Sequence, residues 1–318
     1  MITCIGCGFC AHFGINYGKV ANDLLAPAEV VSLIQSIPMN RAKLYDTDPL
    51  VLKTFRNTDI SFQVGVPNEI LANLTSLEAT KSWVQEHILA YHPITNIIGI
   101  VVGNEIYGGA DTALTPYVLP AMKNIYSVLG THGLHKKIIV STTHSFAVLS
   151  ASYPPSTGAF NPAITETYIR PILEFLSEIG SPFMINAYPF FAYKENSNTV
   201  SLQYVLFESN PGVVDDNTGI RYYNMFDAML DAVHSAIAAL GYQNLSILVS
   251  ETGWPSGGDS TEIGANPENA QLYHNNLFKH LLSNPGTPLR PNATIDVYLF
   301  ALFNENLKTG AKSENHFG

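Results

Sequence analysis

The chain of 318 residues contains very little cysteine. Its three cysteines, Cys4, Cys7 and Cys10, all lie near the start. The C-x-x-C-x-x-C spacing invites a metal-site interpretation, but His12 is the only nearby candidate for a fourth ligand. We therefore expect no metal site. Residues 1–11 are instead interpreted as a short apolar leader or the remnant of a secretory signal peptide.

Positive charge is also scarce. The chain has 16 Lys and Arg against 26 Asp and Glu, which gives a formal net charge of −10. Because nucleic acids and anionic membranes require clustered basic residues, and no basic run occurs, we expect neither as a partner. The apolar runs are also far shorter than the ~20 residues that a membrane-spanning helix needs.

Several catalytic motifs are missing. The sequence contains no G-x-S-x-G nucleophile elbow, no H-E-x-x-H zinc motif and no G-x-x-x-x-G-K-[ST] phosphate loop. These absences argue against a serine-hydrolase elbow, a zinc peptidase and a nucleotide-phosphate site of those types. We expect the protein to use no cofactor.

What the sequence does contain is a regular alternation of apolar runs and helical segments, and 46% of its residues are hydrophobic. Short runs rich in Val, Ile, Leu and Phe predict strands that are covered on both faces. Helical spacing between them predicts βαβ units. The eight predicted strands are 13–17, 41–46, 60–66, 96–103, 137–143, 182–188, 246–250 and 295–303.

This alternation predicts a (β/α)₈ TIM barrel that occupies residues 12–318 as one catalytic domain. A doubly wound open sheet is the alternative. That fold would require a glycine-rich phosphate-binding motif after the first strand, and GINYGKVAND at 14–23 does not contain one. Residues 189–220 fit no simple βα repeat, so we expect a small excursion after the sixth strand.

Three glutamates directly follow predicted strands. Glu105 ends the apolar run IIGIVVGN, Glu251 follows SILVS, and Glu305 follows the last strand. In a (β/α)₈ barrel the carboxyl ends of the strands converge on one face, where the active site lies. Two converging carboxyl groups suggest glycoside hydrolysis, which needs a general acid and a nucleophile or base. The alternative is that each glutamate is a helix N-terminal charge or a surface residue.

Aromatic residues also crowd the predicted face. Flat sugar rings stack on aromatic planes, whereas aromatic residues at such positions can equally cap the barrel core. The aromatic candidates for substrate binding are Tyr45, Tyr188, Phe191, Trp254 and Phe303.

The chain resembles plant glucan endo-1,3-β-glucosidases of glycoside hydrolase family 17. The resemblance extends from Phe13 to Gly318 and rests on long motifs, which are GINYGKVANDL, KLYDTDPLVLKTF, FQVGVPNE, VVGNE, STTHSFAVLSASYPPSTGAF, NAYPFF, NMFDAMLDAV, SETGWPSGG and FNENLKTG. It implies a (β/α)₈ barrel, a retaining mechanism and a long open cleft that cuts internal linkages of β-1,3-glucan.

The resemblance also implies roles for individual residues. Glu105 in VGNE matches the general acid/base, and Glu251 in SETGW matches the nucleophile. Glu305, Lys308 and Glu314 match polar residues around that pair, and we expect Lys308 to keep Glu251 ionised. The positions that match residues near the cleaved sugar are Tyr45, Asn104 and Tyr188, of which Asn104 is expected to bind the sugar 2-hydroxyl.

The expected protein is a secreted, monomeric hydrolase of the cell wall or vacuole that acts on callose or fungal-type glucan without a metal. Three N-x-[ST] sequons, at Asn73, Asn244 and Asn292, are compatible with secretion. Two alternatives stay open. One is a mixed-linkage 1,3;1,4-β-glucanase of the same family, and the other is a catalytically silent β-glucan-binding protein at the cell surface.

Overall fold

The computed structural model describes residues 12–109, 112–283 and 286–318. The predicted leader, residues 1–11, lies outside the described residues, as do all three cysteines. The strands are β1 Phe13–Asn16, β2 Arg41–Lys43, β3 Ser61–Val66, β4 Asn96–Asn104, β5 Ile139–His144, β6 Leu149–Ala151, β7 Ala159–Phe160, β8 Phe183–Asn186, β9 Val213–Val214, β10 Arg221–Tyr222, β11 Ile247–Thr252 and β12 Asp296–Leu299.

Helices follow most of the barrel strands. They are α1 Pro27–Ser36, α2 Pro49–Thr54, α3 Leu77–Val84, α4 Val118–Thr131, α5 Pro162–Ile164, α6 Arg170–Ile179, α7 Pro189–Asn196, α8 Leu202–Val205, α9 Met225–Ala239 and α10 Pro267–Ser283. Wider π-type turns, Gln85–Leu89 and Thr165–Ile169, extend α3 and lead into α6. Short 3₁₀ segments are Asn68–Ile70, Asn73–Thr75, Thr115–Tyr117, Phe146–Val148, Pro155–Thr157 and Lys312–Asn315.

Eight parallel strands close into a barrel in the order β1-β12-β11-β8-β5-β4-β3-β2. The (β/α)₈ prediction is confirmed, and the open-sheet alternative is wrong because β1 pairs with both β2 and β12. All eight predicted strands are present, with ends that differ by a few residues. Among the described residues, no helix is both long and apolar enough to span a membrane.

The strands are apolar on both sides because the barrel has two cores. The larger core lies between the strands and the surrounding helices. A smaller cluster inside the barrel contains Val101, Met184, Leu248 and Tyr298. The ring of Tyr298 lies directly over the Cα of Gly14, so that any side chain at position 14 would overlap it. Glycine at this point of β1 therefore makes room for the largest side chain of the inner cluster.

The predicted excursion after the sixth barrel strand is confirmed. Between β8 and β11 the chain forms α7, α8 and the antiparallel β9–β10 hairpin before α9 begins. Buried Asp215 fastens the hairpin to the loop after β6, since its carboxylate accepts hydrogen bonds from the Ser156 amide (2.8 Å) and hydroxyl (2.9 Å). The excursion thereby becomes a fixed wall at the carboxyl end of the barrel.

Replacing Gly14 should destabilise the barrel from the inside. We expect Gly14→Ala to lower the free energy of unfolding by about 1–3 kcal/mol, as overpacking does in well-packed cores. Gly130→Ala is the matched control, because position 130 lies in α4 with its nearest neighbour, the His135 ring, at 3.8 Å. Alanine there should be neutral or slightly stabilising. Urea unfolding of both variants measures the difference, and equal stabilities would contradict the packing role of Gly14.

Candidate active site

A cleft of about 1430 Å³ opens at the carboxyl ends of the barrel strands. It is larger than the ~300–1,000 Å³ that is usual for small-molecule sites, so it can hold an extended ligand. Glu105 and Glu251 line it, together with residues of the excursion. The three strand-end glutamates thus share one cavity, as the barrel prediction required.

Glu251 lies in β11 and accepts three hydrogen bonds through its carboxylate. The Lys43 ammonium (2.9 Å) and the Tyr45 hydroxyl (2.7 Å) contact Oε1, and the Tyr188 hydroxyl (2.9 Å) contacts Oε2. Burial alone would raise the pKa of Glu251. The positive charge of Lys43 and the hydrogen bonds of Tyr45, Lys43 and Tyr188 outweigh burial and hold that pKa below its usual value. Glu251 is therefore kept ionised.

Glu105 directly follows β4 and has the opposite electrostatic environment. Burial raises the pKa of Glu105, and the negative charge of Glu251 raises it further. A hydrogen bond from the Asn186 amide (2.8 Å) and the charge of Lys43 oppose these effects without cancelling them. Glu105 therefore holds its proton to a higher pH than an ordinary glutamate does.

The backbone of Glu105 is left-handed, with φ of 54°. This conformation is unfavourable for a residue with a long side chain, so neighbouring contacts must hold it. The Glu105 amide donates to the Thr143 carbonyl oxygen of β5 (2.9 Å). On the preceding residue, Asn68 binds both the amide (2.8 Å) and the carbonyl (3.1 Å) of Asn104. These bonds aim the Glu105 side chain into the cleft.

Asn186, at the end of β8, connects the two glutamates. Its Cα pairs with that of Glu251 across the ladder, and its side-chain amide reaches Glu105. The Ser250 hydroxyl donates to the side-chain oxygen of Asn186 (2.7 Å) and fixes which way the amide points. Register shifts occur at the ends of β4 and β11, immediately before each glutamate, and such irregularities redirect side chains.

A second charged cluster borders the cleft beside this pair. The Lys308 ammonium lies 3.2 Å from the Glu305 carboxylate and 3.5 Å from that of Glu314. Glu305 is buried and also accepts the Val20 amide (2.8 Å). Lys308 additionally lies 4.3 Å above the Phe300 ring. The cluster therefore places one ammonium group between two carboxylates at the edge of the cavity.

The family assignment follows from comparison with known proteins. A model described as glycosyl hydrolases family 17 matches residues 13–318. The chain belongs to this family. It is 50% identical to glucan endo-1,3-beta-glucosidase 14 of Arabidopsis thaliana, over 96% of this chain and 78% of the relative. The family resemblance that we drew from the motifs is confirmed, and the chain is a plant-type glycoside hydrolase.

Solved structures of plant glucan-hydrolysing proteins superpose closely on this barrel. CJP38, a beta-1,3-glucanase and allergen of Cryptomeria japonica pollen, has a TM-score of 0.91 and 43% identity over 96% of this chain and 94% of its own. One of two plant beta-glucan endohydrolases with distinct substrate specificities has a TM-score of 0.87 and 37% identity, over 96% and 95% of the two chains.

Most of the predicted site residues of this family 17 chain line the cleft. The structure brings together Glu105, Glu251, Tyr45, Asn104, Tyr188, Phe191, Glu305, Lys308 and Glu314. The side-chain oxygen of Asn104 is buried and has no hydrogen-bond partner within the part of the chain that the structure describes.

The structure places two of the aromatic candidates outside the cleft lining. Trp254 is fully buried behind the cleft, where its indole donates to the Gly264 carbonyl (2.8 Å) and its ring packs on that of Phe190. Phe303 packs edge-on against Tyr17 and does not line the cleft. Phe300, three residues earlier, takes the position in the wall that the sequence had suggested for Phe303.

The expected role of Lys308 is also corrected. Its ammonium contacts Glu305 and Glu314, whereas the ammonium that contacts Glu251 belongs to Lys43. Sequence reasoning missed Lys43 and Asn186. The signal for Lys43 was present, because Lys43 and Tyr45 alternate with apolar Ala42 and Leu44, and such alternation places both polar side chains inside the barrel.

The described residues contain no group of three or more His, Cys, Asp or Glu side chains that could hold a metal ion. The positive charge beside Glu251 comes instead from Lys43, whose side chain is only 1% exposed. The arrangement can therefore keep one carboxyl protonated and its neighbour ionised with protein groups that the structure describes.

The buried Lys43–Glu251 pair should behave as a unit in stability measurements. Removing one partner of such a pair typically costs about 3–5 kcal/mol, because the other charge stays buried without compensation. We expect Lys43→Met and Glu251→Gln each to lower the free energy of unfolding, and the double variant to lose clearly less than their sum. Lys81→Met, on the exposed face of α3, should change stability little. Strictly additive losses in urea unfolding would contradict a direct pair.

Proposed function

We propose that the chain hydrolyses internal β-1,3-glucosidic bonds of β-glucan with retention of configuration. The observation that carries the proposal is the opposite electrostatic environment of two carboxyl groups in one cleft. Glu105 is the general acid/base and Glu251 is the nucleophile. A retaining glycosidase requires this division, in which one carboxyl is protonated while its neighbour is ionised.

In the first step Glu105 donates its proton to the glycosidic oxygen, and that bond to the anomeric carbon breaks. The Glu251 carboxylate attacks the same carbon and forms a glycosyl ester, so the leaving glucan departs with a hydroxyl. Glu105, now ionised, then removes a proton from water. The resulting hydroxide attacks the anomeric carbon, and Glu251 is released as carboxylate. Tyr45 and Tyr188 orient Glu251 for attack through the two bonds described above.

The other cleft residues suit a sugar chain. The unpartnered oxygen of Asn104 lies beside Glu105 and can accept a bond from the sugar 2-hydroxyl, a contact that strengthens in the transition state. Tyr45, Tyr188 and Phe191 offer aromatic faces for the C–H faces of sugar rings. The length of the open cleft supports cleavage within a polymer.

The substrate assignment draws on the relatives, which are named for endo-1,3-β-glucosidase activity. Mixed-linkage 1,3;1,4-β-glucan is the second candidate, because one family 17 neighbour comes from a pair with distinct substrate specificities. We further propose that residues 12–318 act as one catalytic domain, monomeric and secreted to the cell wall or vacuole, after loss of a leader at residues 1–11. Substrate glucan from callose or fungal walls fits those locations.

The nucleophile can be tested by chemical rescue. Glu251→Ala should lose most of its activity on linear β-1,3-glucan, and added azide should restore turnover by attacking the vacated face of the sugar. The product would be an α-glycosyl azide. Glu105→Ala should be tested on an aryl β-glucoside whose phenolate leaves without protonation, and azide attack on its glycosyl-enzyme should give the β anomer. Proton NMR of the azide products distinguishes the two. An α product from the Glu105 variant would reverse the assignment.

Assays of the wild type on the two glucan polymers define the substrate. Cleavage of linear β-1,3-glucan by the wild type supports the proposal, and cleavage of mixed-linkage glucan alone would keep the mechanism and change the substrate. Binding of β-1,3-glucan without cleavage of either polymer would instead support the silent-barrel alternative.

A plot of activity against pH should be bell-shaped, with its maximum on the acid side of neutral. The acid limb reports protonation of Glu251, whose pKa is held below the usual glutamate value, so activity falls as pH drops through it. The alkaline limb reports ionisation of Glu105, whose pKa is raised above that value. Tyr45→Phe removes one bond to the ionised form of Glu251 and should move the acid limb to higher pH. Profiles of kcat/KM test this, and an unmoved acid limb would contradict the hydrogen-bond role.

A further inference from the structure

Segment 311–318 folds back across the carboxyl end of the barrel and contributes to the cleft wall. Glu314 and Phe317 both line the cavity. The Glu314 carboxylate faces Lys308 at 3.5 Å. The Phe317 ring packs 5.7 Å, centroid to centroid, from the ring of Tyr188, whose hydroxyl binds Glu251. The segment therefore touches both charged clusters of the proposed active site.

Most attachments of this segment use its backbone. The His316 carbonyl accepts the Ser256 amide (2.7 Å) and hydroxyl (3.0 Å), and the Phe317 carbonyl accepts the Ala301 amide (2.9 Å). Asn315 donates from its side chain to the carbonyl oxygens of Glu305 and Lys308, both at 2.9 Å. These contacts lie after Glu314, so a separate contact is needed to fix the turn before it.

Glu262 supplies that contact from the loop after β11. Its Oε2 accepts the amides of Ser313 (2.8 Å) and Asp259 (3.1 Å), and its Oε1 accepts the Ser313 hydroxyl in a short hydrogen bond. Glu262 is 4% exposed and Ser313 is fully buried. Burial raises the pKa of Glu262, but the bonds from Ser313 and Asp259 outweigh it and keep the carboxylate ionised. The buried carboxylate of Glu262 therefore joins the loop after β11 to segment 311–318.

We propose that Glu262 is a positioning residue of the glycosidase site. It fixes Ser313 and, through the short turn Lys312–Asn315, holds Glu314 and Phe317 against the cleft. The role rests on the proposed function, because positioning matters only where the cleft performs the reaction. Glu262 itself does not line the cleft.

The effect on Glu105 distinguishes positioning from simple structural support. Burial is the largest cause of the raised pKa of Glu105. The titratable groups that act on Glu105 are Glu251 on β11, Lys43 on β2, Glu314 on segment 311–318, and Tyr45 and Tyr188 beside Glu251. The negative charge of Glu314 raises the pKa of Glu105. If Glu314 moves away, that pKa falls and the alkaline limb of activity moves to lower pH. A general loss of stability would reduce the amount of active enzyme and leave the limb where it is.

Three variants separate the parts of the contact. Glu262→Ala removes all three acceptor interactions and leaves the buried Ser313 amide unsatisfied. Glu262→Gln keeps the shape, since its carbonyl oxygen can accept both amides while its NH₂ donates to the Ser313 hydroxyl. Glu178→Ala, at an exposed position of α6, is the control for loss of a surface glutamate.

We expect Glu262→Ala to lower kcat/KM by about tenfold, as loss of one positioning contact commonly does. The alkaline limb should move to lower pH, and hydrogen exchange of segment 311–318 should accelerate. Glu262→Gln and Glu178→Ala should resemble the wild type in all three measurements. In a Glu314→Gln background, Glu262→Ala should no longer move the limb, because the charge that it positions is already gone.

An unchanged exchange rate in segment 311–318, or a lower kcat/KM with an unmoved limb, would overturn the positioning role of Glu262. A further shift of the limb in the Glu314→Gln background would also overturn it, since Glu262 would then act by another route. If the wild type cleaves neither glucan, the proposed function fails, while the exchange measurement still decides whether Glu262 anchors the segment.

Discussion

The ion pair between Lys43 and Glu251 is the interaction on which the site depends. An ionised carboxylate inside a barrel is unfavourable unless a charge and hydrogen bonds compensate it. Lys43, Tyr45 and Tyr188 provide both. Lys43 lies at the end of β2 with Tyr45 shortly after it, and Tyr188 follows β8. Burial raises the pKa of Glu105, and once Glu251 is held ionised its charge raises that pKa further. The ion pair therefore contributes to the protonation states of both glutamates.

The fold was predictable from the sequence because its signals are local. A (β/α)₈ barrel buries its strands on both faces, so each strand is a short apolar run that can be recognised alone. The ends were less predictable, since β12 stops at Leu299 although the apolar run continues to Phe303. Helices α2 and α3 begin after Asp48 and Ser76, which cap them with side-chain hydrogen bonds. Both caps were visible in the sequence.

The location of a site residue was predictable where it depends on the residue's position after a strand. It was not predictable where it depends on side-chain packing. Glu105 and Glu251 follow strong strands, and the barrel geometry brings them together. Trp254 also follows a strand, but the chain turns there and the indole packs on the rings of Phe190 and Tyr273. Which lysine reaches Glu251 is likewise a three-dimensional question. Lys43 contacts Glu251 because β2 places its side chain inside the barrel, whereas Lys308 lies in a loop beside two other carboxylates.

The barrel supplies the glutamates together with Lys43 and Asn186, but segments outside it hold further groups that orient them. Tyr188 lies at the start of the excursion, and its ring is packed between Phe300 and Phe317, which lie in two further segments. The Phe300 and Phe317 segments are joined by the hydrogen bond from the Ala301 amide to the Phe317 carbonyl, and Glu262 joins the Phe317 segment to the loop after β11. Lys43 has the largest lowering effect on the pKa of Glu251, and the bond from Tyr188 lowers it further. Because a hydroxyl displaced by a fraction of an ångström weakens a bond to a carboxylate, the packing of these loops adds to the effect of Lys43. The loops that shape the cleft therefore also act on the chemistry at its centre.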